Sequence, residues 1–452
     1  MNISISKKIY FGMDVFNVVI NKINTFIWGT PFIILLVVTS VILMLKLKFS
    51  VFDIIKGITS KNVEENGGNR RITNFSALTS VLAGTLGTGN ITGIAVAILT
   101  GGVGSLFWMF VSGIVSIIIS YTENFIVMLY RKRDSKLGYF GGTMYVLDDV
   151  LGKRNLAILF ALVVVVSTLT SGTMTQANSL SELVNSSTNI PKKTVGVILA
   201  VITAYVVFGG KYRIAKLSSI VIPICSLTYI ALCTGVLVKN YNSIFGGIKE
   251  IISVAFGAKQ MIGGVVGLGI NKVIGKGFSI GVFSNEAGMG TAPMFTAAVE
   301  NKDIHKAASV ASMSVVIDTL FLCMLTGVTI ISTGKYNILN PGEMLNSVFG
   351  ELAFGKLLLN ICMIFFVLAT IPCLEYYAEQ AIRYLTKRNL AIYLFRILYI
   401  VGIYLGSIAY SSMVWDLSGI FSALMTLPNI YMIYACMDDV IHARKMRVNN
   451  KF

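Results

Sequence analysis

Charged side chains are scarce in this chain. Of its 452 residues, 13% are Asp, Glu, Lys or Arg, while 55% are hydrophobic; soluble domains carry roughly 25% charged residues. Mean hydropathy is +0.77. A soluble domain of this size could not cover such a core with polar surface, so the composition points to a polytopic membrane protein. It excludes a disordered chain, a secreted disulfide scaffold and a soluble multidomain enzyme. Histidine is nearly absent, with only His305 and His442. The six cysteines (Cys225, Cys233, Cys323, Cys362, Cys373 and Cys436) all fall in apolar stretches and form no CxxC pair. A His/Cys metal site is therefore not expected, and the cysteines read as small buried hydrophobes. No phosphate loop, nucleophile triad or zinc spacing occurs, which argues against an enzyme. No cleavable signal peptide is expected, because the first long apolar run begins near Trp28 and no small-residue cleavage motif follows it.

What the chain does have is long apolar runs. Eleven stretches suit membrane-spanning helices of about 20 residues: approximately 27–45, 75–100, 104–130, 155–183, 194–209, 217–238, 262–300, 307–333, 355–385, 389–410 and 414–437. The seventh is too long and too glycine-rich for one straight helix, so a break or a re-entrant piece is expected there. The net charge of +16 tests the topology. Of the 37 Lys and Arg, 24 fall in the loops 46–74, 131–154, 210–216, 301–306 and 383–388 and after residue 438; ten fall on the other side. The basic-rich side should be cytoplasmic. This puts the N-terminus outside and the C-terminus inside, as an odd number of spans requires. The charge then records orientation and attraction to anionic lipid, not a nucleic-acid partner.

Two segments interrupt the apolar pattern with the same chemistry. Residues 80–93 read SVLAGTLGTGNITG, and residues 281–293 read GVFSNEAGMGTAP. Glycine costs about 1 kcal/mol in a helix relative to alanine. At membrane depth, unwound backbone is tolerated only where it is buried in protein or lines a cavity. Paired interrupted helices in matching positions of two halves point to a transport site. A half-helix N-terminus suits a carboxylate, and unwound carbonyls suit a cation such as sodium. The alternative reading is close helix crossing through small residues. Each cluster leads a five-span block, 75–238 or 262–437, so the second block enters from the opposite side, which is the logic of an inverted repeat. Residues 1–74 form an N-terminal segment and 438–452 a basic tail.

AGTLGTGNI (Ala83–Ile91) and FSNEAGMGTAP (Phe283–Pro293) closely resemble the two signature segments of the alanine/glycine:cation symporter family. The similarity extends over most of the chain, through Tyr121–Glu123, Gly141–Tyr145, Gln176–Asn178, Asp318–Thr319, Ala369–Ile371 and Trp415–Leu417. The resemblance implies an all-α, LeuT-like core of ten helices with two broken helices, preceded by one peripheral helix. It implies sodium- or proton-driven uptake of a small amino acid such as alanine or glycine, in a prokaryotic plasma membrane, by a protein that reads as a monomer. By position, Thr85, Gly87, Thr88, Gly89 and Asn90 would hold the substrate carboxylate. Gln176 would make a polar substrate contact, and Ser284, Asn285 and Gly288 would close the site from the other repeat. Sodium, the coupling ion, would sit between carbonyls of Ala83 and Gly84 and the hydroxyl of Thr370. No other cofactor is implied.

The chain departs from the family pattern at several positions. Leu374 stands where the family has Trp, and Glu375 where it has Ser; Ile280 replaces a usual Arg and Thr296 a usual His. Leu374 would enlarge the pocket. Glu375 would add charge beside the cation, carry a proton or bind an amine. Buried acids are functional candidates by default. Glu123, Glu379 and Asp416 sit near predicted span ends, where pairing with loop Lys or Arg is the plainer reading. Glu286 is expected to cap the N–H groups of the second break, and Trp28 and Trp415 to anchor at the membrane interface. Two other functions fit the composition less well: a passive channel, which would need a continuous polar pore, and a non-transporting amino-acid sensor.

Overall fold

The computed structural model describes residues 17–48, 54, 74–135, 138–257, 269–300 and 303–448. Most of the expected loop 46–74, the start of the expected 262–300 span and the last four residues of the tail lie outside the described residues. The helices, in chain order, are α1 (Asn17–Leu47), α2 (Asn74–Thr85), α3 (Thr92–Gly101), α4 (Ser105–Leu129), α5 (Arg154–Thr188), α6 (Lys192–Val207), α7 (Gly210–Lys239) and α8 (Tyr241–Ala255). They continue with α9 (Ile270–Asn285), α10 (Ala292–Ala297), α11 (Ile304–Ser332), α12 (Pro341–Phe349), α13 (Gly355–Leu385), α14 (Asn389–Ile408), α15 (Ser411–Ala435) and α16 (Met437–Val448). One small antiparallel hairpin, β1 (Lys132–Asp134) with β2 (Gly138–Phe140), follows α4, with Lys132 opposite Phe140.

Among the described residues, eight helices are long and apolar enough to cross a membrane: α1, α4, α5, α7, α11, α13, α14 and α15. The other three expected spans differ for physical reasons. The stretch 75–100 is split into α2 and α3 by a 3₁₀ turn at Thr88–Asn90. The stretch 262–300 is split into α9 and α10 at residues 286–291. The short stretch 194–209 becomes α6, whose 16 residues cover about 24 Å at 1.5 Å each. Two further helices, α8 and α12, lie between spans. The start of α12 is set locally: Asn340 accepts the N–H of Glu343 at 3.0 Å and Pro341 occupies the first turn.

Helix faces sort by partner. α6 exposes Val197, Ile198, Val201 and Tyr205, and α14 exposes Leu390, Leu394, Ile397, Leu398 and Val401. Apolar faces of this kind suit lipid. The two helices pack on each other with their opposite faces. The middle of the molecule is lined differently. α4 runs along α9 and α11, while α13 runs along α5 and α7, so both breaks are enclosed by long helices. Trp28 and Trp415 are not interface anchors. They are 2% and 7% exposed: Trp28 donates its Nε1–H to the carbonyl of Gly419 at 3.0 Å, and Trp415 packs 5.1 Å from Phe283, centroid to centroid.

Candidate functional site

The first break begins where α2 runs out of helical partners. In a continuing helix the N–H groups of Gly87 and Thr88 would bond the carbonyls of Ala83 and Gly84. Instead the Gly87 N–H turns to Thr85 O at 2.8 Å, and the Thr88 N–H donates to Gln176 Oε1 at 3.0 Å. The carbonyls of Ala83 and Gly84 are thus released from the ladder, and a side chain from α5 completes the turn. A side chain at 87 would crowd both Gln176 and Thr370. A Cβ there would sit 2.7 Å from Gln176 Oε1 and 2.9 Å from Thr370 Oγ1. Thr370 therefore stands against the break; its hydroxyl donates to Phe366 O at 2.8 Å and reaches Leu86 O at 3.4 Å.

Gln176 is itself aimed by irregular backbone. Residues Thr168–Met174 form a wide π-turn inside α5, and Gln176 Nε2 donates to Ser171 O at 3.3 Å. Such bulges recur at functional sites.

The second break is built from left-handed residues. Glu286, Gly288 and Gly290 have φ of 54°, 82° and 74°. The backbone N–H groups this exposes are taken by Glu123 of α4: Gly288 and Gly290 donate to its two carboxylate oxygens at 3.1 Å each. Asn429 of α15 donates to the same carboxylate at 2.6 Å and to Gly288 O at 2.9 Å. The expected cap, Glu286, does something else. Its Oε2 accepts from Thr291 Oγ1 at 3.0 Å, and the residue lines a cavity.

That small cavity lies between the two breaks. Gly84, Thr85 and Gly89 come from the first, and Phe283, Glu286 and Met289 from the second; Ser171 and Gln176 of α5 and Leu374 of α13 complete it. It offers backbone and amide groups on one wall, one carboxylate on another, and apolar surface from Phe283, Met289 and Leu374.

The family model for the sodium:alanine symporter family matches residues 13–450. The chain belongs to the sodium:alanine symporter family. Among its relatives, an uncharacterized transporter of Haemophilus influenzae is 31% identical over 437 residues, covering 94% of this chain and 95% of the relative. The sodium/alanine symporter AgcS of Methanococcus maripaludis is 31% identical, covering 91% and 92%. The probable sodium/glutamine symporter GlnT of Bacillus subtilis is 30% identical, covering 93% and 88%. The crystal structure of MhsT in complex with L-phenylalanine superposes with a TM-score of 0.57 at 15% identity, covering 82% of this chain and 90% of that one. This likeness concerns the fold, which is LeuT-like. The protein is a multi-pass membrane transporter.

Within this symporter fold the sequence-derived residues divide into groups. Gly84, Thr85, Gly89, Gln176 and Leu374 meet at the cavity, and Gly87, Thr88 and Thr370 stand directly behind it. Asn90, Ser284 and Asn285 gather elsewhere, on the buried Asp318 and Thr319 of the π-turn Val316–Cys323 in α11. Asn90 donates to the carboxylate of Asp318. Ser284 donates to the same carboxylate at 2.7 Å, and Asn285 donates to Thr319 at 3.1 Å. Asp318 thus ties both breaks to one helix. Gly288 faces Glu123. Glu375 forms an ion pair with Arg396 of α14, Nε to Oε1 at 2.8 Å. The same guanidinium reaches Glu379 at 2.8 Å, which also pairs with Arg383. Sequence reading missed Ser171 and Phe283 as cavity walls. The polar run TLTSGTMT (Thr168–Thr175), in the middle of an apolar span, was the signal for the first of them.

Proposed function

We propose that the protein is a secondary active symporter that takes up a small neutral amino acid, such as alanine or glycine, together with sodium, by alternating access. The observation that carries this is the cavity between two unwound segments, with freed carbonyls and a hydroxyl beside it. The amino acid's carboxylate lies against the backbone of Thr85 to Gly89, next to Gln176. Its amine faces Glu286, the one acid among the cavity-lining residues. Its side chain meets Phe283, Met289 and Leu374. Sodium sits among oxygen donors, the hard ligands such a cation prefers: the carbonyls of Ala83 and Gly84 and the hydroxyl of Thr370. Asn90, Ser284 and Asn285 act one layer out, through Asp318 and Thr319.

Cation and amino acid share the backbone of the first break, so each organises the site for the other and tightens its binding. The blocks 75–238 and 262–437 serve as inverted repeats that rock about the site, with the N-terminus outside, the C-terminus cytoplasmic and a single chain as the working unit. The test is a competition screen of the twenty amino acids against uptake into proteoliposomes, with sodium present and with sodium replaced by choline. Sodium-dependent competition by alanine and glycine is expected. Competition confined to large or charged amino acids would remove the substrate assignment, and indifference to sodium would remove the ion.

A further inference from the structure

We infer that the N-terminal helix is a working part of the transporter's mouth: Asn24, with Asn21 at the rim, positions Asp416 for its pair with Lys276 and so governs how tightly α9 and α15 close over the cavity. Asp416 is 5% exposed and its carboxylate is held from two sides. Lys276 of α9 donates to Oδ1 at 3.0 Å. From α1, Asn24 Nδ2 donates to the same oxygen at 2.7 Å and Asn21 Nδ2 to Oδ2 at 2.7 Å. A carboxylate buried this deeply is costly unless paired and hydrogen-bonded. The two amides fix its rotamer and leave Oδ1 facing the ammonium.

What this pair closes is legible from its neighbours. Trp415, beside Asp416 in the chain, packs on Phe283, a wall of the cavity. Its ring also lies 3.0 Å from where a Cβ on Gly93 of α3 would be. Phe283, Trp415, the Asp416–Lys276 pair and Asn24 thus form one connected series that starts at the cavity wall. The Cβ of Lys276 in turn lies 2.8 Å from where a Cβ on Gly101, at the end of α3, would be. Parting α9 from α15 must break the ion pair. α1 stays attached to α15 through the Asn24 amide and through the Trp28 indole on Gly419 O. Asn21 and Asn24 are positioning residues: they touch neither cavity nor cation and act through Asp416. This inference rests on the alternating-access reading.

The test reads mouth opening without needing a substrate. Ser279 lies in the cleft shared by Asn24, Trp28 and Lys276, and the six native cysteines are buried. In a Ser279→Cys background, labelling by a membrane-impermeant methanethiosulfonate is measured on full-length protein in liposomes. Asn21→Ala with Asn24→Ala removes two hydrogen bonds to a charged group and should speed labelling by at least about tenfold, the change that one such bond alone carries. Asp416→Asn should do the same, and adding the two alanines to it should change nothing more. Lys276→Met, which leaves the α1 contacts in place, should also speed labelling. Unchanged labelling in the alanine pair or in Lys276→Met overturns the inference; so does a full further increase on top of Asp416→Asn, which would mark the amides as merely structural. Loss of all amino-acid uptake in the wild type would strike the transport reading instead, and the two failures are separately visible.

Discussion

Glu123 and Gly288 are 165 positions apart, yet the backbone N–H of Gly288 donates to the Glu123 carboxylate at 3.1 Å. With the matching bond from Gly290, this makes Glu123 the cap of the second break, delivered from another helix. Such breaks need a polar partner because the N–H groups they free cannot be left bare at membrane depth.

Replacing Glu123 should therefore be costly to the fold and to transport together. Glu123→Ala strands two backbone N–H groups and one N–H of the Asn429 amide, whose other donor keeps Gly288 O; each stranded group costs about 1–3 kcal/mol when buried without a partner. Glu123→Gln keeps one acceptor oxygen and should lose roughly half as much. Thermal unfolding in detergent, compared with uptake, checks the ordering. Equal stability of Glu123→Ala and wild type would refute the capping role.

Glycine at 87 is a steric requirement. Gly87→Ala places a methyl 2.7 Å from Gln176 Oε1 and 2.9 Å from Thr370 Oγ1, so the break must shift at the point where carboxylate and cation are proposed to meet. Uptake should fall by at least tenfold in protein that still folds. Gly246→Ala is the control: nothing lies within 4 Å of its added Cβ, and transport should be unaffected. If both variants transport normally, the first break is not the site.

Much of this was readable from sequence, for reasons that vary by residue. The two glycine clusters announced the breaks because unwound backbone in a membrane leaves a compositional mark. Gln176 and Leu374 were placed by resemblance and do reach the cavity wall. Glu286 was expected to cap the second break and Glu123 to pair with a loop cation, whereas Glu123 takes the capping role. Capping by a distant helix has no local spacing, and only the fold shows which carboxylate arrives. Trp28 and Trp415 were misread because position near a span end does not say whether a helix face meets lipid or protein. Nothing local in the sequence shows that Glu375 pairs with Arg396, because that partner lies on another helix.

Position 374 should tune selectivity. Leu374 lines the cavity, and its Cβ lies 3.1 Å from where a Cβ on Gly172 would be, so a larger side chain must extend into the site. Leu374→Trp should narrow uptake toward glycine and alanine, read as a rise in KM for larger competitors by tenfold or more. An unchanged profile would remove residue 374 from the specificity argument.

The Glu375–Arg396 pair should prove structural. Breaking a buried pair from one side costs about 3–5 kcal/mol, whereas replacing both partners with apolar residues is often nearly neutral. Arg396→Met should therefore lower the unfolding temperature sharply, and adding Glu375→Leu should recover a large part of the loss. If the double variant is stable but loses sodium dependence, Glu375 belongs to the ion site after all.

The central claim is that a sodium gradient moves an amino acid through the cavity between the two breaks. Its most direct test is uptake of radiolabelled alanine into proteoliposomes under an imposed inward sodium gradient. Accumulation above equilibrium, abolished when the gradient is collapsed and absent from the Gly87→Ala variant, is the predicted result. No accumulation of alanine or any other amino acid, under either a sodium or a proton gradient, would contradict it.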